Sequence, residues 1–314
     1  MQKAVLAIFA LCAMSALPAL ADDVAVTQHK EDIHVIPASA HTLTGNIGLF
    51  SQYVFRGLTQ TNEKPSIQGG LDYSHASGFY VGTWLSNISW FSDQNANTIA
   101  APVALGAPGP IGAPYIANRN NTASLEWDIY GGYKGSLAAD WSYDIGFLRY
   151  EYPGTYENLG YFKKPNTNEI YGALGYRWIT AKYSYSLGDT FGINEARGSY
   201  YFDLSASIPL ADSGFTFGLH AGRQEYRGRS DLFRVTPGGA ASTSYDNKVL
   251  SYTDWKASLT KEYAGLNFGI AFTSTNARGT AVDTLGSTTN AIYQNVYGRN
   301  IGRSQTVLSV SRTF

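Results

Sequence analysis

From Thr42 onward the chain alternates apolar and polar side chains along segments of roughly ten residues, and the connections between segments alternate short with long. Leu125, Trp127, Ile129 and Tyr133 alternate with Ser124, Glu126 and Asp128. Trp141, Tyr143, Ile145 and Phe147 alternate with Ser142, Asp144 and Gly146. Ile179, Ala181, Tyr183 and Tyr185 oppose Thr180, Lys182 and Ser184, and Phe202, Leu204 and Ile208 oppose Asp203, Ser205 and Ser207. A period of two is a strand, and a strand with one wholly apolar face has hydrocarbon or a core on that side. About twelve such segments are expected, near 42–56, 66–75, 79–90, 122–134, 141–151, 169–177, 179–187, 199–209, 214–226, 248–263, 266–275 and 304–314.

Periodicity alone does not say which face points outward, because a soluble sandwich alternates too, with its polar face in water. The connections decide it. Those after even-numbered segments are tight (76–78, 135–140, 178, 209–213, 264–265). Those after odd-numbered segments are long, above all 91–121, 152–168, 227–247 and 276–303. Short turns at one end, long loops at the other and an even strand count are the outer-membrane pattern, with periplasmic turns and external loops. The fold class expected is therefore all-β, an antiparallel transmembrane β-barrel of about twelve strands spanning 42–314. Charge falls on the polar face because a Lys or Arg turned to lipid at mid-membrane costs about 2–4 kcal/mol.

The first residues fit export. Lys3, the apolar run Ala4 to Leu17 and Ala19-Leu20-Ala21 form the layout of a signal peptide over 1–21, cleaved near Ala21. Residues 22–41, polar and carrying His29, His34 and His41, are expected to be a flexible periplasmic lead-in. Cys12, the sole cysteine, lies in the segment to be removed, which leaves no thiol or disulfide chemistry. Of 23 basic and 24 acidic side chains only Lys3 precedes Asp22, so 22 face 24, a net of −2. That balance offers no clustered basic surface for nucleic acid. A mean hydropathy of −0.18 excludes a bundle of membrane-spanning helices, whereas a barrel needs apolar residues only at alternate positions.

The candidate chemistry is a pore lining. The charged residues on polar faces are Arg56, Glu126, Asp128, Asp144, Glu169, Arg177, Lys182, Asp203, Asp254 and Lys256. Both signs occur, so the walls are expected to be ion-paired with weak ion preference, or filled by mutually satisfied pairs. No cofactor or metal is expected: the histidine spacing fits no ligand set. The Pro-, Ala- and Gly-rich stretch 101–114 reads as a loop, mobile at the surface or folded inward as a constriction. His75-Ala76-Ser77 has the His-x-Ser spacing of an outer-membrane lipid hydrolase, but it falls in a periplasmic turn where such residues are ordinary.

Trp90, Trp141, Tyr150, Trp178, Tyr200, Tyr263 and Phe314 are expected to supply aromatic girdles. The terminal Phe314, closing an alternating strand, resembles the signal read by the barrel-assembly machinery, with Arg312 as a departure. Ser51-Gln52-Tyr53-Val54-Phe55-Arg56-Gly57-Leu58-Thr59-Gln60-Thr61, the run Tyr80 to Asn87, Glu126 to Tyr133, Glu169 to Gly172 and Lys182 to Ser186 together resemble the TorF family of proteobacterial porins. The resemblance runs from about Leu43 to the C-terminus. It implies an outer-membrane barrel and a channel, and it brings no substrate or catalytic residue. The function expected is passive diffusion of small polar solutes, with a plugged structural or adhesive barrel as the alternative. The partners expected are outer-membrane lipid, the assembly machinery and those solutes.

Overall fold

The computed structural model describes residues 39–95, 121–156, 164–236, 239–277, 281, 282, 288, 289, 293 and 299–314. The leader, His29, His34 and the Pro-rich stretch 101–114 lie outside the described residues.

Twelve strands close into one antiparallel barrel. They are β1 (His41–Phe50), β2 (Ser66–His75), β3 (Phe79–Asn87), β4 (Leu125–Ala138), β5 (Trp141–Glu151), β6 (Thr167–Tyr176), β7 (Ile179–Ser186), β8 (Tyr200–Pro209), β9 (Phe215–Glu225), β10 (Tyr252–Tyr263), β11 (Leu266–Thr275) and β12 (Gln305–Thr313). Every strand pairs with its neighbours in sequence, and β12 returns to β1 with Asn46 opposite Thr313 and Phe50 opposite Ser309. Closure leaves no sheet edge, the condition for burying a sheet in lipid, where no water can satisfy an open ladder. The short connections all lie at the end where β1 starts and β12 stops, here the turn end. The long ones share the opposite, loop end. Among the described residues there is no α-helix.

The apolar rows point outward. Leu43, Ile47, Leu71, Ile145, Ile270 and Leu308 are among the exposed large side chains, while Asp72, Glu126, Glu169 and Asp254 are buried. This is the inverse of a soluble protein and the arrangement of a barrel in lipid. At the turn end Trp141, Trp178, Tyr263 and Phe314 stand on the outer surface as expected of a girdle, and Tyr200 stacks on Tyr183 farther up. Tyr150 and Trp90 do not join them. Tyr150 falls on the inward parity of β5 and is buried in the lumen, and Trp90 packs against Phe91 inside the loop end.

Part of the abundance of Tyr and Gly has a structural cause inside the barrel. Three inward tyrosines lie across neighbouring strands with a glycine as cross-strand partner. Tyr130 faces Gly82, Tyr80 faces Gly132, and Tyr171 faces Gly146 in direct cross-strand register. A Cβ on Gly82 would meet the Tyr130 ring at 2.5 Å, and one on Gly132 or Gly146 would meet a tyrosine hydroxyl at 2.6 or 2.5 Å. Tyrosine fills the lumen of the β2–β6 wall, and glycine makes the room. The opposite wall carries small inward residues toward the turn end, including Ser258, Gly269, Ser309 and Ser311.

Candidate functional site

The connection after β1 turns into the barrel. Val54–Phe55 pairs with Leu58–Thr59 in a two-residue hairpin whose tip is Arg56-Gly57. Both tip residues have positive φ, 45° and 78°, as a type I′ turn requires, and Gly57 is the residue that tolerates it at no steric cost. A Cβ at Gly57 would run into Thr275 and come within 2.7 Å of Asp254 Cβ, so the tip lies against β10 and β11. The expectation of a first strand continuing to residue 56 is corrected here. The strand stops at Phe50, and the alternation that persists through Tyr53 and Phe55 belongs to the inward hairpin.

Arg56 is therefore a hub in the lumen rather than a residue on the wall. Its Nη2 donates to Glu169 Oε2 at 2.7 Å and Oε1 at 3.0 Å, and its Nη1 donates to Gln224 Oε1 at 2.7 Å. The guanidinium also lies over the Tyr201 ring at 4.3 Å. Burial alone would lower its pKa, but the Glu169 carboxylate overrides burial and holds the group charged, well above its ordinary range. Tyr53, at the base of the hairpin, donates to Glu126 Oε1 at 2.8 Å. Burial and then the Glu126 charge push its phenol well above the usual value, which keeps it a donor. The hairpin thus ties β4, β6 and β9 together from inside. Around it Phe55, Tyr150, Tyr152, Phe91 and Tyr171 form one aromatic cluster, and Tyr226, Leu250, Tyr252 and Tyr293 form a second under the loops.

Toward the turn end the walls change character. Tyr130 donates to Asp72 and Tyr80 to Asp144, each at 2.5 Å, and Lys182 Nζ sits 4.0 Å from the Tyr171 ring centroid. His220 bridges two carboxylates, with Nδ1 at 2.9 Å from Asp203 and Nε2 at 2.8 Å from Asp254. Two acceptors facing two ring nitrogens are both satisfied by the doubly protonated imidazole. Tyr201 donates to Asp254 Oδ2 at 2.9 Å and Ser205 to Asp203 Oδ1 at 2.6 Å. Beside this array lies a cavity of about 60 Å³, lined by Arg56, Lys182, Asp203, His220, Asp254 and Lys256 together with apolar Val54, Phe55, Ala271 and Val307.

The structure places Glu126, Asp128, Asp144, Glu169, Lys182, Asp203, Asp254 and Lys256 on inward-facing strand positions. Arg177 departs from the expectation. Its parity is inward, but it lies in the tight turn between β6 and β7 with φ 50°, is exposed, and pairs with Asp140 at 3.1 Å. Sequence reasoning missed His220, Tyr201 and Gln224. The signal was present: Phe215, Phe217, Leu219 and Ala221 mark the outward face of β9, which leaves His220 and Gln224 inward. His75 and Ser77 stay in their turn, where Ser77 Oγ lies 2.8 Å from His75 Nδ1 and the Ser77 N–H donates to the same nitrogen at 3.1 Å. That is turn chemistry, and His41 rather than a carboxylate lies against the His75 ring, at 5.0 Å.

A barrel whose lumen is built on the block Tyr53 to Thr61 has a counterpart in sequence. Residues 34–314 match the model of a family described as a bacterial protein of unknown function, Gcw_chp. The chain belongs to that family. No curated protein matches it. Among solved structures it is similar to the KdgM porin at 7% identity, covering 86% of this chain and 98% of that one, TM-score 0.42. It is also similar to the NanC porin at 11% identity (87% and 98%, TM-score 0.41) and to the P. putida toluene transporter TodX at 8% identity (87% and 89%, TM-score 0.43).

Proposed function

We propose that this family member is an outer-membrane channel that passes small polar solutes through a narrow lumen, constricted at the level of Arg56. The turn end would face the periplasm and the loop end the exterior, with residues 1–21 removed on export. The reading rests on one observation above all: charged side chains line the interior of a barrel whose exterior is apolar, and one inward hairpin holds Arg56 against Glu169 within it. Twelve strands enclose more than the about eight that side chains fill and less than the sixteen to eighteen of an open aqueous porin, so a narrow path follows. The resemblance to TorF porins agrees with it.

The second aromatic cluster under the loops favours another reading, a permanently plugged barrel with a structural role. Planar-bilayer recording separates the two. Removing Arg56 alone would leave Glu169 as a buried unpaired charge and cost about 3–5 kcal/mol, so the informative variant is Arg56→Ala with Glu169→Gln. Under the channel reading the wild type gives small discrete steps and the double variant steps several-fold larger. Absence of steps from both proteins, each still running as a compact unheated band in SDS gels, would establish the plug.

A further inference from the structure

Around the cavity beneath the hairpin the carboxylates already have close donors. Asp203 takes His220 and Ser205, Asp254 takes His220 and Tyr201, and Glu169 takes Arg56. The two ammonium groups do not have carboxylates at that range. Lys182 rests on the Tyr171 face, and neither it nor Lys256 has an ion pair within 4.0 Å among the described residues. Both are only partly buried and line the same cavity. The charged donor capacity left over there is three N–H groups on each ammonium, beside the neutral hydroxyls of Ser184 and Thr273. The remaining wall is mixed, with apolar Val54, Phe55, Ala271 and Val307 beside the hydroxyl-bearing Tyr150, Ser184, Tyr201 and Thr273.

From this arrangement we propose that the cavity is a binding site for a short-chain carboxylate, its oxygens on Lys182 and Lys256 and its hydrocarbon end on Val54, Phe55, Ala271 and Val307. An ammonium–carboxylate contact out of bulk water is among the stronger polar contacts, and an apolar wall distinguishes a carboxylate with a tail from a bare inorganic anion. The volume admits a few waters, or an acid of about three carbons in their place. The site names the solute class of the proposed channel and rests on that reading only as far as transport is concerned. It also changes the expectation of weak ion preference into one of anion preference at this depth.

The test is calorimetric titration of the full chain in detergent with propionate, with its neutral isostere propionamide, and with propylamine. Propionate is expected to bind at least tenfold more tightly than either. Lys182→Gln and Lys256→Gln should each weaken it tenfold or more while keeping the compact unheated band. Preference for propylamine, equal binding of propionamide, or affinity unchanged in both lysine variants would overturn the site. Bilayer recording keeps the two readings apart. Propionate binding without conductance keeps the site and sinks the channel, and conductance without propionate binding does the reverse.

Discussion

Gly222 shows how little freedom the interior leaves at a single position. A Cβ there would collide with the Tyr201 hydroxyl and lie 2.7 Å from Asp254 Oδ2. Gly222→Ala must therefore displace Tyr201 from its contacts with Asp254 and the Arg56 guanidinium. Overpacking of this kind costs about 1–3 kcal/mol, and the expected readout is a lower urea midpoint for the barrel in vesicles. An unchanged midpoint would mean that the ring has another place to go. Parity made most lining residues legible, since Glu126, Asp203 and Lys182 alternate with lipid-facing neighbours. Arg177 shares that parity, yet a turn of positive φ removes it from the wall, and parity carries no information past the last ladder bond.

The element that ties the lumen walls together is the hairpin at Val54 to Thr59, and it was the least legible. Its alternation continues the phase of β1, so sequence reads one long strand through Arg56. Only Arg56-Gly57, with two positive φ values, marks the reversal, and Arg-Gly is a weak hairpin signal beside Asn-Gly or Asp-Gly. The inward direction has no local signal, because it depends on Glu169, Gln224 and Tyr201 from remote strands. Gly57→Ala strains the turn and collides with Thr275, so the tip should leave the lumen. Trypsin added to the intact barrel in detergent is expected to cut after Arg56 in this variant and to spare it in the wild type. Equal resistance would show that the tip accommodates a methyl group. The loop 101–114, read as either mobile at the surface or folded inward, lies outside the described residues, whereas the hairpin 54–59 enters the lumen.

At the scale of the whole molecule the deciding quantity is which side of the sheet meets hydrocarbon. Ile270 is half exposed near the middle of β11, opposite Leu259, on the outer surface. Ile270→Lys should lower the stability of the barrel in vesicles by about 2–4 kcal/mol, the cost of a charge facing lipid at mid-membrane. A loss below about 0.5 kcal/mol in a urea titration would place that row near the interface instead. Strand number, phase and the alternation of short and long connections were all readable in the sequence, because a period of two and a connection length are local properties of a chain with a closed sheet to build. Which residues meet inside the barrel was settled by register and by the inward turn. His220 reaches Asp203 and Asp254 diagonally on the neighbouring strands β8 and β10, a matter of register, and Arg56 reaches Glu169 of β6 only because the hairpin turns inward, a direction set by packing over the barrel.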